Sequence, residues 1–162
     1  MNLFEKVFRE LNKAKVKYLV VGGVAVNLYG YLRFTGDLDL LVLLNEKNLQ
    51  KIDKVMKKMR YSERLPVSIM DLWNRKQVMK WLKEKNLKAY TFNPPKNNLL
   101  QIDIIIEDSL KFATYNKQKN IKKMGALEIP VVSIKDIIKM KKKAHRDKDM
   151  IDLQVLKYLS QL

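Results

Sequence analysis

Apolar positions along the chain switch between two spacings. Leu3, Phe4, Val7, Phe8 and Leu11 follow the three-and-four spacing of one helical face, which predicts a helix over 2–15. KYLVV at 17–21 is a short unbroken apolar run, the pattern of a buried strand. Gly22-Gly23 ends it, and VAVNLYGYL reads as a short helix. LDLLVLL at 38–44 is a second strand. Asn45 then caps a helix over about 46–59, whose inner face is Leu49, Ile52, Val55, Met56 and Met59. A further helix is predicted at 74–86, with Val78, Trp81 and Leu82 facing inward. Strands follow at 88–92 and 99–106 around the turn NPPKNN. A short helix at 109–116, a strand at 126–132, a helix at 134–144 opened by Ser133, and a last helix at 147–160 complete the pattern. Helices alternating with a few strands predict an α/β or α+β fold with a mixed sheet. No linker divides residues 1–162, so one domain is expected, with a helical C-terminal part from about 133.

Composition narrows the chemistry. The chain has no Cys, which excludes disulfides, thiolate nucleophiles and Cys-ligated metals. Its single His, His145, excludes a multi-His metal site. No apolar run reaches the 18 residues of a membrane span. Glu5, Lys6, Arg9 and Glu10 break any signal-peptide core, so a cytoplasmic protein is expected. The formal net charge is +16, and residues 47–88 carry 13 basic against 4 acidic groups. Such a field suits a polyanionic partner, a nucleotide or a nucleic acid, or else a Lys-rich solvated surface. The lysines of 51–58 form the candidate nucleic-acid face, and Trp73, Trp81, Tyr90 and Phe92 are candidates for stacking on bases.

Three features carry candidate chemistry. Gly22 and Gly23 stand where a strand turns into a helix, letting backbone approach a phosphate closely. Asp37 and Asp39 open an apolar strand two residues apart, so both carboxylates point to one face, roughly 6.5–7 Å apart at Cα. Two carboxylates so placed repel one another unless a cation such as Mg²⁺ lies between them. Asp103 lies between Ile102 and Ile104. Left unpaired in a buried strand it is costly, so it either joins a metal site or faces water from an edge strand.

Together VGGVAVNLYGYLRFTGDLDLLV resembles the signature of the nucleotidyltransferase fold shared with DNA polymerase β. Within that superfamily the chain is most similar to AbiEii-like and other toxin-type nucleotidyltransferases. The similarity lies in Gly22, Gly23, Ala25, Arg33, Thr35, Asp37 and Asp39, then Asp103, then Met140-Lys141 and the run from Arg146 through Lys148 and Asp149 to Asp152. The resemblance implies transfer of a nucleoside monophosphate from an NTP to an acceptor. It implies Mg²⁺ or Mn²⁺ held by Asp37, Asp39 and Asp103, with Asp103 taking the acceptor's proton. Gly22, Gly23 and Lys141 would contact the phosphates, and Arg33, Arg146, Asp149 and Asp152 would bind the nucleotide or brace the site. The acceptor it implies is RNA such as tRNA, a protein or a small molecule, and the partner a cognate antitoxin. The alternative is a non-catalytic nucleotide- or nucleic-acid-binding module that kept the fold.

Overall fold

A computed structural model describes all of residues 1–162. Strand β1 (Tyr18–Val21) lies in the interior of its sheet, with every residue buried. Seven strands form one sheet in the order β3-β4-β5-β2-β1-β7-β6. They are β2 (Asp37–Val42), β3 (Ser62–Glu63), β4 (Ala89–Asn93), β5 (Gln101–Ile105), β6 (Asn120–Met124) and β7 (Leu127–Val131) beside β1. The sheet is mixed: β1 runs antiparallel to β2 and parallel to β7, and β2 runs parallel to β5.

The helices are α1 (Leu3–Lys13), α2 (Gly22–Leu28), α3 (Glu46–Lys58), α4 (Arg75–Lys85), α5 (Ile106–Ser109), α6 (Phe112–Lys117), α7 (Ile134–Ala144) and α8 (Asp149–Leu159). Local chemistry fixes their starts. Asn2 and Glu5 form a reciprocal cap on α1, and the Asn45 side chain accepts from the Asn48 N–H at 2.9 Å to open α3. The apolar face of α1 buries Val7, Phe8 and Leu11, and the Phe8 ring stacks on Tyr18 at 6.2 Å. Buried Asn48 bonds the backbone of Lys17 and of Leu43, so one amide ties the start of β1 to the end of β2.

Several expectations need correction. The helix expected at 109–116 is two pieces, α5 and α6, broken at Leu110-Lys111. The strand expected at 126–132 has an unforeseen partner, β6, reached through Gly125 at φ +60°. NIKKM has no buried residue, because β6 is the sheet edge, and Lys on an edge strand discourages pairing with other chains. The two-residue strand β3 and a 3₁₀ turn at Ile69–Trp73 were also unforeseen. Tyr90 and Phe92 are 1% exposed and meet edge-to-face in the core, so neither can stack on a base. Trp81 packs partly buried against that core, while Trp73 is exposed.

Candidate active site

Strand register brings the carboxylates together. Asp39 pairs with Asp103 across the parallel β2–β5 ladder, and Asp37 pairs with Gln101. Val21 flanks Asp39 on β1, and Thr91 flanks Asp103 on β4. One face therefore carries the row Val21, Asp39, Asp103, Thr91, while Leu38, Leu40, Ile102 and Ile104 point into the core. β5 lies between β4 and β2, so Asp103 does not stand on an edge strand. Neighbouring strands lie about 4.8 Å apart, which crowds Asp39 and Asp103. Burial, then Asp103, then Asp37 push the Asp39 carboxyl up to about 6, although Arg146 and Lys148 pull the other way.

The three carboxylates do not close into a preformed cage, for no group of three or more acidic or His side chains is arranged to hold a metal ion. The Gln101 amide explains part of this. It donates to both oxygens of Asp103 at 3.1 Å, and its own oxygen accepts from Arg64. Arg64 also donates through Nε to Asn93 at 3.1 Å. Neither Gln101 nor Arg64 stood out in the sequence. The signal for Gln101 was its place two residues before Asp103 on the same face. Mg²⁺ needs only one or two carboxylates besides water and substrate phosphate oxygens, so the hard oxygens of Asp39 and Asp103, with Asp37 on the same face, fit that ion.

The two glycines have different surroundings. Gly22 has φ +66°, and a Cβ there would lie 2.0 Å from Oδ2 of Asp39. Gly23 is buried, with the Thr35 hydroxyl and the Arg33 guanidinium against it. Gly22→Ala therefore combines a left-handed backbone with a collision against Asp39. Gly125 shares the positive φ but has nothing within 4 Å. Gly125→Ala is expected to lose about 1–2 kcal/mol in urea unfolding, the left-handed penalty alone. Gly22→Ala is expected to lose distinctly more, with Asp39 displaced. Equal losses would show that Asp39 does not press on Gly22.

The late motif assembles around a buried lysine. Lys141 is 5% exposed and its Nζ lies 2.8 Å from Asp149 and 2.9 Å from Asp152. Arg33 grips Asp152 in a two-pronged bond at 2.8 and 2.7 Å, and Arg146 Nε binds Asp149 at 2.8 Å. Arg33, Asp152, Lys141, Asp149 and Arg146 thus form one chain of three cations and two anions. Burial alone would raise the Asp149 carboxyl, but hydrogen bonds from Lys141 and Arg146 hold it below its ordinary value. Asn27 on α2 fixes the backbone of Arg33 from both sides, and the Thr35 hydroxyl binds the Asp37 carbonyl. His145 caps α7 in a left-handed conformation, φ +52°. Lys142 and Lys143 are exposed, the latter paired with Glu107 at 2.9 Å.

Between this network and the carboxylate row lies a cavity of about 370 Å³. Val21, Gly22 and Asp39 line its sheet side, Ile105, Asp108 and Lys88 its far end, and Ile137, Met140, Lys141, Ala144 and Arg146 the side of α7. Lys141 and Arg146 thus face the same space as Asp39, which is the arrangement a polyphosphate beside a metal needs.

No family model and no curated protein matches the sequence. Solved structures do match in three dimensions. The lincosamide antibiotic adenylyltransferase LnuA, with lincomycin bound, aligns over 96% of this chain and 95% of its own at TM-score 0.65 and 16% identity. An antigenic nucleotidyltransferase-like protein from Paracoccidioides brasiliensis aligns over 94% and 71% at TM-score 0.60 and 12% identity. ANT(2")-Ia in complex with adenylyl-2"-tobramycin aligns over 95% and 85% at TM-score 0.59 and 11% identity. The fold is the nucleotidyltransferase fold. No helix is long and apolar enough to cross a membrane.

Proposed function

We propose that the chain transfers a nucleoside monophosphate from an NTP to a hydroxyl acceptor. The observation that carries this reading is Asp39, which stands beside Asp103 across the β2–β5 ladder and lines the same cavity as Lys141 and Arg146. In the reaction the acceptor oxygen attacks the α-phosphorus. An O–P bond forms, the α–β bridging bond breaks, and pyrophosphate leaves with the electron pair. Asp103 takes the acceptor's proton. Lys141 and Arg146 face the phosphates, and Gly22 lets the chain pass close beside them. Mg²⁺ or Mn²⁺ held by Asp39 and Asp103, with Asp37 beside them, would neutralise charge developing on the transferred phosphoryl group. Arg33 and Asp152 hold Lys141 in place rather than touch the nucleotide.

LnuA and ANT(2")-Ia, whose solved forms hold lincomycin and adenylyl-tobramycin, favour a small hydroxyl-bearing molecule as the acceptor. The +16 charge favours RNA such as tRNA. A toxin role with an antitoxin, or a protein acceptor, rests on the motifs of Gly22–Asp39 and Arg146–Asp152 alone. The test incubates the protein and Mg²⁺ with each α-labelled NTP, total tRNA in one arm and aminoglycosides and lincosamides in another. Label is expected in one arm. Bound NTP with label in neither arm favours the non-catalytic module.

A further inference from the structure

Beyond Asp39 the cavity continues to the ends of β5 and β4, where Ile105, Asp108 and Lys88 face it. The sheet takes three strand spacings from β1 to β4, so the cleft crosses roughly 14 Å, room for a nucleoside beside its phosphates. Ile105 on one side and Ile137, Met140 and Ala144 on the other make an apolar slot suited to a flat ring, with a thioether to lie against it. Asp108 is half-buried, yet its carboxylate makes no ion pair or hydrogen bond, because Lys143 goes to Glu107 instead. Burial raises its carboxyl, Glu107 adds to that, and Lys143 and Lys111 offset part of it. No protein donor reaches the Asp108 carboxylate and its oxygens keep access to solvent, so the N–H groups of a ligand in the cavity can replace water there.

We infer that Asp108 and Lys88 read the nucleobase and select guanine, a step that rests on the NTP reading above. A carboxylate offers two acceptor oxygens and no donor. Guanine presents N1–H and the N2 amino group side by side, and its O6 lies next to them to accept from the Lys88 ammonium. Adenine and cytosine set one amino donor beside a bare ring nitrogen, and uracil sets one N–H between two carbonyls. In each of those a carboxylate oxygen meets a lone pair, and a mismatch in a half-buried site is expensive.

The test is calorimetric titration of the full chain, with Mg²⁺, by GTP, ATP, CTP, UTP and XTP. GTP is expected to bind about tenfold or more tighter than the others. Asp108→Asn replaces one acceptor with a donor, which suits xanthine, where a carbonyl stands in place of the N2 amino group. That variant is expected to lose GTP affinity and gain XTP affinity, an exchange that misfolding cannot produce. Equal binding of the NTPs by wild type, or GTP preference persisting in Asp108→Asn, overturns the base reading while leaving NTP binding intact. No binding of any NTP by wild type overturns both.

Discussion

Metal-free Asp39→Asn is expected to be more stable than wild type at pH 7 and nearly inactive in nucleotidyl transfer. The stability gain follows from the Asp39 carboxyl, pushed from 3.8 to about 6 in the folded chain. A carboxyl raised on folding binds its proton more tightly in the native state. Wild-type stability therefore falls as pH climbs from about 4 through 6, by up to about 3 kcal/mol, less where water reaches the group. Asn carries no proton to lose. The two proteins should unfold at the same urea concentration at pH 3.5 and diverge above pH 5, with the variant ahead. The activity loss has a separate cause. Asn keeps an oxygen but lacks the charge that holds a divalent cation. Losing several kcal/mol of stabilisation of the transferred phosphoryl group lowers the rate by about a thousandfold. A variant both stabilised and inactive is the mark of a site residue, since a structural residue would lose both together.

Lys141→Met is expected to have the largest effect on the fold. It removes the cation shared by Asp149 and Asp152, each of which is 1% exposed. Arg146 and Arg33 still hold one carboxylate each, but two buried anions then face one another. Breaking a buried pair in this way costs about 3–5 kcal/mol, a fall of about 10 °C in Tm for a chain of this size. Lys141→Met combined with Asp152→Asn should recover much of that stability, because one buried charge goes with the lysine while Arg146 keeps its partner Asp149. NTP binding measured in the double variant then separates the two roles of Lys141. Recovered folding with weak binding shows that the ammonium also serves the phosphates. Recovered folding with full binding shows that it is only a brace. An unshifted Tm in Lys141→Met itself would deny the buried network.

The carboxylate strands were legible in the sequence for a simple reason. Asp39 and Asp103 interrupt runs that are otherwise apolar, and a charge is too costly to bury in such a strand without a partner, while exposed Asp37 opens the first run two residues before Asp39. Their neighbours followed from register, which periodicity alone does not specify. The parallel pairing that sets Asp39 beside Asp103 depends on β5 entering the sheet next to β2, a long-range fact. Arg64 was missed for the same reason, since it reaches Gln101 from 37 positions away. The late motif was legible as a set of residues but not as a structure. Lys141 sits in a run of three lysines; the resemblance at Met140-Lys141 singles it out, but its burial between Asp149 and Asp152 follows only from the packing of α8 on α7. β6 left only a faint apolar trace, Ile121 and Met124, because an edge strand with no buried residue needs little more.

The function proposed for the site requires a divalent cation at Asp39 and Asp103 that joins an NTP to the cavity beside Lys141. The most direct measurement is calorimetric titration, into wild type and Asp39→Asn, of the NTP that binds wild type most tightly, each with Mg²⁺ and with EDTA. Wild type is expected to bind tightly only with Mg²⁺, and Asp39→Asn to bind about tenfold or more weaker, with little response to the metal. That NTP bound equally well by both proteins, or by wild type in EDTA, would contradict it.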